Sequence, residues 1–288
     1  MRLCRFNDNR LGILQGEEVL DVSSALRLLP ASTYPLPRHD PLIAHLPAVR
    51  AEVERLAVEG NRLVRHDVVD VRLLSPVASP GKVIAAPVNY SKHLQEVRED
   101  KGIHHQNQID EIQRVGLFLK AASSVEGPSV ALEIACPNRR NDHEIELVAV
   151  IGRMGRHIAR DDALDYVAGY CVGLDMTVRG PEERSLRKSP DGYTILGPWL
   201  TTADEIGNVH ELELLMQVNG EVRQRANTRN LVLDVAQLIA LASSFYTLYP
   251  GDVLMTGTPE GVSQVFPGDH MTAQITGLGC IEVEIAKA

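Results

Sequence analysis

The stretch NDHEIELVAVIG, residues 141–152, is almost wholly apolar after its first four residues, yet it carries two carboxylates two positions apart, Glu144 and Glu146. In an extended strand alternate side chains share a face, so both acids point one way while Ile145 and Leu147 point the other. Their Cα atoms then stand about 7 Å apart. Two carboxylates facing one space repel each other unless a cation lies between them. A hard divalent cation takes oxygen ligands in this manner. A bare ExE pair is more often a solvated strand face; the apolar run that follows argues for a buried strand instead.

Other residues carry chemistry only in company. Asp175 ends the apolar run YCVGLD, where an acid is either a cap or a ligand, and Arg179 follows four residues on. Arg179 suits either charge balance or a bidentate grip on an anionic substrate. In VNYSKHLQEVRED, His93 and Glu96 lie three apart, neighbours on a helix. A carboxylate beside an imidazole orients it, which makes a general base with its orienter or an ordinary surface pair. Lys120 and Lys188 interrupt apolar surroundings, where a lysine either snorkels or meets a buried anion. The glycine-rich turn TGTPEGV, 256–262, offers backbone N–H groups to a carboxylate. It lacks the P-loop pattern, and the chain has neither HExxH nor GxSxG.

Composition removes several classes of partner. The chain has 38 acidic against 29 basic residues, a net charge of −9, and no Lys/Arg cluster, which argues against nucleic acid and anionic membrane. No apolar run approaches the ~20 residues needed to span a bilayer. The opening MRLCRFNDNR places charges where a signal peptide needs apolar residues. Cys4, Cys136, Cys171 and Cys280 are scattered and form no CxxC pair, as in a reducing compartment. These features predict a cytoplasmic protein acting on a small molecule.

Short apolar runs separated by turn signals predict a β-meander over residues 2–23, and Val49, Val53 and Leu56 at helical spacing predict a helix over 47–58, stopped at Gly60. LLSPVASPG marks a boundary near residue 75, dividing a small N-terminal α/β domain, 1–75, from a catalytic domain, 76–288. The second part is strand-rich: runs at 83–90, 144–152 and 166–178, a hairpin turning at Asn219-Gly220, strands launched by Pro-Gly-Asp at 250 and 267, and an alternating edge strand GCIEVEI. DVAQLIALASSFYTL is the strong helix, with Val235, Leu238, Ile239, Ala242 and Phe245 on one face. The expected class is α+β, predominantly β.

In order along the chain come Asn89-Tyr90 with His93 and Glu96, FLK ending at Lys120, DxExEL at 142–147, YVAGY before Asp175, KSxDG…LGPW at 188–199, VNGEVRQ, the VAQLIA helix, PGDVLMTGTPEGV and a second PGD. Together these resemble the fumarylacetoacetate hydrolase family. The resemblance implies a mixed β-sandwich roll, a homodimer, and a magnesium or manganese site with Glu144, Glu146 and Asp175 as ligands. It implies His93 and Glu96 as the base dyad, Lys120 and Lys188 beside the developing enolate, and Arg179, Thr258 and Tyr193 against a small anionic 2-oxo acid. The implied chemistry is hydrolysis of a C–C bond in an acylpyruvate or fumarylpyruvate type of 1,3-dicarbonyl acid, in aromatic catabolism. A decarboxylase or isomerase of a 2-oxo or 2-hydroxy dioate needs the same site, and a non-catalytic metal-binding member is the third reading.

The chain departs from the family pattern in two places. Where the family often has RDxQ, with the Gln positioning water, this chain reads RGPE, so Glu182 stands at that Gln's position, and a carboxylate is a poor orienter of water for a dianionic substrate. The strand before the dyad reads AAPVNY rather than VGxNY. The polar segment 97–117, with the paired His104-His105, is expected to be a lid.

Overall fold

The computed structural model describes residues 1–58, 63–104 and 111–286. The expected stop at Gly60 and residues 105–110 of the expected lid lie outside the described residues.

The strand Ile145–Ile151 is buried at every position. It lies deep in a twelve-stranded mixed sheet, between Val167–Asp175 and Val253–Met255, antiparallel to both. Its two faces enter two cores. Ile145, Leu147, Ala149 and Ile151 join Leu214, Met216, Met271 and Ile281 of a four-stranded sheet, together with the helix Val235–Phe245. Val148 and Val150 join Val49, Val53 and Leu56 of the helix Leu46–Val58. The chain is therefore α+β and predominantly β, with a sheet-on-sheet core on one side and a helix-on-sheet core on the other. The strand's six apolar side chains contribute on the order of 10 kcal/mol by burial. That exceeds the several kcal/mol needed to desolvate the carboxylate of Glu146 in their midst.

The sheet crosses the expected boundary near residue 75. The N-terminal meander, Arg2–Phe6, Arg10–Gln15 and Glu18–Asp21, adds to it through pairing of Leu3 with Leu200. The hairpin forms as expected, Glu213–Val218 to Glu221–Asn227, with positive φ at Asn219 and Gly220. Gly279–Glu284 is the edge strand of the four-stranded sheet. In the strong helix Asp234 caps the N-terminus in a capping box, and Val235, Leu238, Ile239 and Ala242 are buried. Phe245 departs from expectation. It is 69 % exposed because the helix ends there and the chain turns away.

A polar link joins the sheets. Asn141–His143 pairs with Thr177–Val178 and Ser263–Gln264 in a three-stranded sheet. Inside it the Gln224 amide oxygen accepts from the Ile145 N–H (3.2 Å) and lies 3.0 Å from Nδ1 of His143. The amide nitrogen donates to Thr258 Oγ1 and the Pro259 carbonyl, both at 2.8 Å. That orientation makes His143 Nδ1 the protonated nitrogen and leaves Nε2 to accept from Ser263 at 2.8 Å. Burial accordingly pushes His143 down to about 4.

Two outcomes follow from these placements. Leu238→Ala costs about 2–5 kcal/mol of stability, whereas Phe245→Ser stays within about 0.5 kcal/mol, as read by urea denaturation. Between pH ~6.5 and ~4 the unfolded chain binds a proton at His143 that the folded chain refuses. Stability therefore falls as the pH drops through that window, by about 3 kcal/mol from this ring. Denaturation across the window checks this: His143→Gln flattens the slope, and an unchanged slope removes His143 as its source.

Candidate active site

The acids expected to share a space do so. Oxygens of Glu144, Glu146 and Asp175 lie within 4.8 Å of one another, and all three residues are buried. Glu144 precedes the central strand and Glu146 lies within it, while Asp175 ends the neighbouring strand, whose Leu174 pairs with Ile145. The cations expected nearby hold them in place. Lys188 Nζ donates to Glu144 (2.6 Å), Asp175 (2.7 Å) and the hydroxyl of Thr177 (2.7 Å). Lys120 Nζ donates to Asp175 (2.5 Å) and the Tyr193 carbonyl (2.8 Å). Arg179 spans Asp142 and Glu144, both at 2.8 Å. All three donors of Lys188 are thus committed to protein oxygens, and Arg179 orients acids.

Charge within the cluster is uneven. Burial raises the Glu144 carboxyl, but Lys188 and Arg179 outweigh it and hold the group well below the ordinary carboxylate range. Glu146 goes the other way. Burial, then Asp175 and Glu144, push it far above that range. Among the described residues its one hydrogen bond comes from the backbone N–H of Gly257, at 2.7 Å. Gly257 makes that approach at φ +94°, and a Cβ there would stand 2.7 Å from Asn89 Cβ. The glycine-rich turn therefore does bind carboxylates, and they are the chain's own. Its Gly261 N–H also donates to Glu96, at 2.9 Å.

His93 and Glu96 form the expected pair on the helix Ser91–Glu99, Nδ1 to Oε2 at 2.7 Å. His93 and the three acids line one cavity of about 310 Å³, a size suited to a small acid. Thr258 also lines it. Its oxygen accepts from Gln224, and among the described residues nothing takes its hydroxyl proton, which leaves that proton to a ligand. Val97 and Ile103, from the described part of the expected lid, stand at the cavity and pack with Val262.

Tyr193 is not brought to the cavity. Its side chain is fully buried, and its hydroxyl donates to Asn141 Oδ1 (2.6 Å) and accepts from the Ala135 N–H (2.9 Å). It reaches the site through its carbonyl, which Lys120 uses. The RGPE departure is compensated locally. Arg139 grips Glu182 with two hydrogen bonds (3.0 and 2.7 Å) and lowers its pKa. A Cβ on Gly180 would lie 1.6 Å from that guanidinium, so the glycine makes room for it. Sequence reasoning missed Arg139, Asp142, Gln224 and Arg184. Asp142 and Gln224 stand inside quoted motifs, but their partners are distant in sequence.

The family model "Fumarylacetoacetate (FAA) hydrolase C-terminal" matches residues 82–286. A maleylpyruvate hydrolase of Aquipseudomonas alcaligenes is 56 % identical over 287 residues, 99 % of each chain. A human mitochondrial oxaloacetate tautomerase is 37 % identical over 74 % of this chain and 68 % of its own. The crystal structure of a maleylpyruvate hydrolase from Sphingobium sp. SYK-6 with manganese (II) and pyruvate superposes with a TM-score of 0.83, at 39 % identity and full coverage of both chains. The chain belongs to the fumarylacetoacetate hydrolase family.

Proposed function

We propose that this hydrolase cleaves the C–C bond of acylpyruvates of the maleylpyruvate and fumarylpyruvate type, in aromatic catabolism. The observation that carries the reading is one cavity shared by the carboxylate triad and the His93–Glu96 dyad. The full-length relative named a maleylpyruvate hydrolase, and the related structure with manganese (II) and pyruvate, support it.

The donor set fits a hard divalent cation. It offers three carboxylates with close oxygens, and among the described residues Glu146 takes its hydrogen bond from a backbone amide alone. Glu144, Glu146 and Asp175 hold magnesium or manganese, which when bound supplies a Lewis acid toward the substrate's 2-oxo acid end. His93, held through Nδ1 by Glu96, takes a proton at Nε2 from water. The water oxygen adds to the acyl carbonyl. The bond from that carbonyl to the neighbouring carbon then breaks, and its electron pair leaves as the enolate of pyruvate, which takes up a proton. The products are pyruvate and the acid of the acyl half. Thr258 donates its free hydroxyl proton to a substrate oxygen. Lys120, Lys188 and Arg179 act through their charge and through the acids they hold, stabilising negative charge where it develops.

The decarboxylase and isomerase readings and the non-catalytic reading are less favoured. The relative matched over 99 % of the chain is a hydrolase, and the dyad that activates water is assembled. We take the enzyme to be a cytoplasmic homodimer. Its acidic net charge supports a soluble protein, and no helix among the described residues is long and apolar enough to cross a membrane. We assign catalysis to residues 76–288 and a supporting role to 1–75, a division supported by the family match beginning at residue 82.

With manganese, maleylpyruvate is expected to lose its enol absorbance and release one equivalent of pyruvate. His93→Ala lowers kcat by about 10²–10⁴-fold and leaves manganese binding, read by calorimetry, unchanged. Glu144→Gln weakens manganese binding itself. Carbon dioxide release without a second acid, or full turnover in His93→Ala, overturns the reading.

A further inference from the structure

The short helix Arg184–Arg187 turns both of its arginines toward the cavity wall, three residues apart on one face. Arg187 is held by backbone: its Nε and Nη1 donate to the carbonyls of Glu182 and Val178, at 2.8 and 3.0 Å. Arg184 is different. Its guanidinium stands 5.4 Å from the centroid of the Phe118 ring, and among the described residues no carboxylate or carbonyl takes any of its donors. The acids around it are engaged elsewhere. Glu144 is held by Arg179 and Lys188, Glu182 by Arg139, and Glu183 accepts from the backbone N–H of Ser185 at 2.6 Å.

A guanidinium remains charged and presents five donors in a planar fork matched to a carboxylate. Stacked on a ring and partly withdrawn from water, it pays a desolvation that outweighs the pull of Glu183, Glu144 and Asp175, and among the described residues no acid pairs with it directly. Arg187 nearby adds a second positive charge instead of relieving the first. A cation held by Glu144, Glu146 and Asp175 would take the 2-oxo acid end of the substrate, so the anion that belongs at Arg184 is a second one on the same molecule. Resting on the hydrolase reading above, we propose that Arg184, stacked on Phe118, grips a carboxylate at the far end of the acyl half. The cavity thereby selects dianionic acylpyruvates over those with a neutral acyl group.

The test measures binding separately from turnover. Calorimetry compares 2-oxoheptanedioate with 2-oxoheptanoate on the manganese-loaded enzyme. The wild type is expected to prefer the dioate by about 10- to 100-fold. Arg184→Met abolishes that preference while leaving the monoacid within about threefold of wild type, and Arg184→Lys restores part of it. In turnover, Arg184→Met raises KM for maleylpyruvate about tenfold more than it raises KM for acetylpyruvate. A wild type without preference, a preference that survives in Arg184→Met, or equal weakening of both acids overturns the proposal. A wild type that discriminates the two acids yet hydrolyses no acylpyruvate overturns the hydrolase reading and supports Arg184 as the carboxylate grip.

Discussion

Crowding of like charge governs this molecule. Oxygens of Glu144, Glu146 and Asp175 approach within 4.8 Å of one another in a buried space, an arrangement that persists only with positive charge among them. Lys188 bridges two of the acids and Lys120 and Arg179 bind from the sides. Among the described residues no cationic side chain hydrogen-bonds Glu146, and burial, with Asp175 and Glu144, raises its pKa despite the pull of Lys188. A divalent cation offsets that repulsion and tips the cavity toward positive charge, which is what an anionic substrate requires. The overall charge of −9 has the opposite sign, so attraction is local.

The same economy of donors reassigns several roles. Lysines and arginines beside a substrate site suggest direct contacts, yet here Lys188 and Arg179 direct hydrogen bonds to acids, and Lys120 to an acid and a carbonyl. Among the described residues Arg184 has no such hydrogen-bond partner, which is the ground for proposing it as a ligand group. In RGPE, a carboxylate replaces a family amide, a glycine replaces the aspartate, and Arg139 fills the freed space and neutralises Glu182. The three residues make sense only together.

Much of this was legible in the sequence because strand periodicity is local. Glu144 and Glu146 flank Ile145, Asp175 ends an apolar run, and His93 and Glu96 sit one helical turn apart, so short-range geometry already sets each relation. Phe245 and Tyr193 were misplaced for a shared reason. Periodicity assigns a face but not where a helix stops meeting its neighbour, and a motif assigns a position but not which way its side chain turns. Arg184 sits in the charge run EERSLRK, which reads as ordinary solvated surface.

By itself, then, the sequence determined the strand-rich class, the acids on one face and the neighbouring of His93 and Glu96, all consequences of spacing over a few residues, and the family, through motifs in order along most of the chain. The tertiary structure alone decided which cation serves which acid, that Tyr193 contributes a carbonyl, that Gln224 ties three sheets to Thr258, and that Arg184 meets the Phe118 ring and no acid among the described residues. These depend on residues tens of positions apart meeting at hydrogen-bond distance, and the packing of two cores against one sheet is what brings them there.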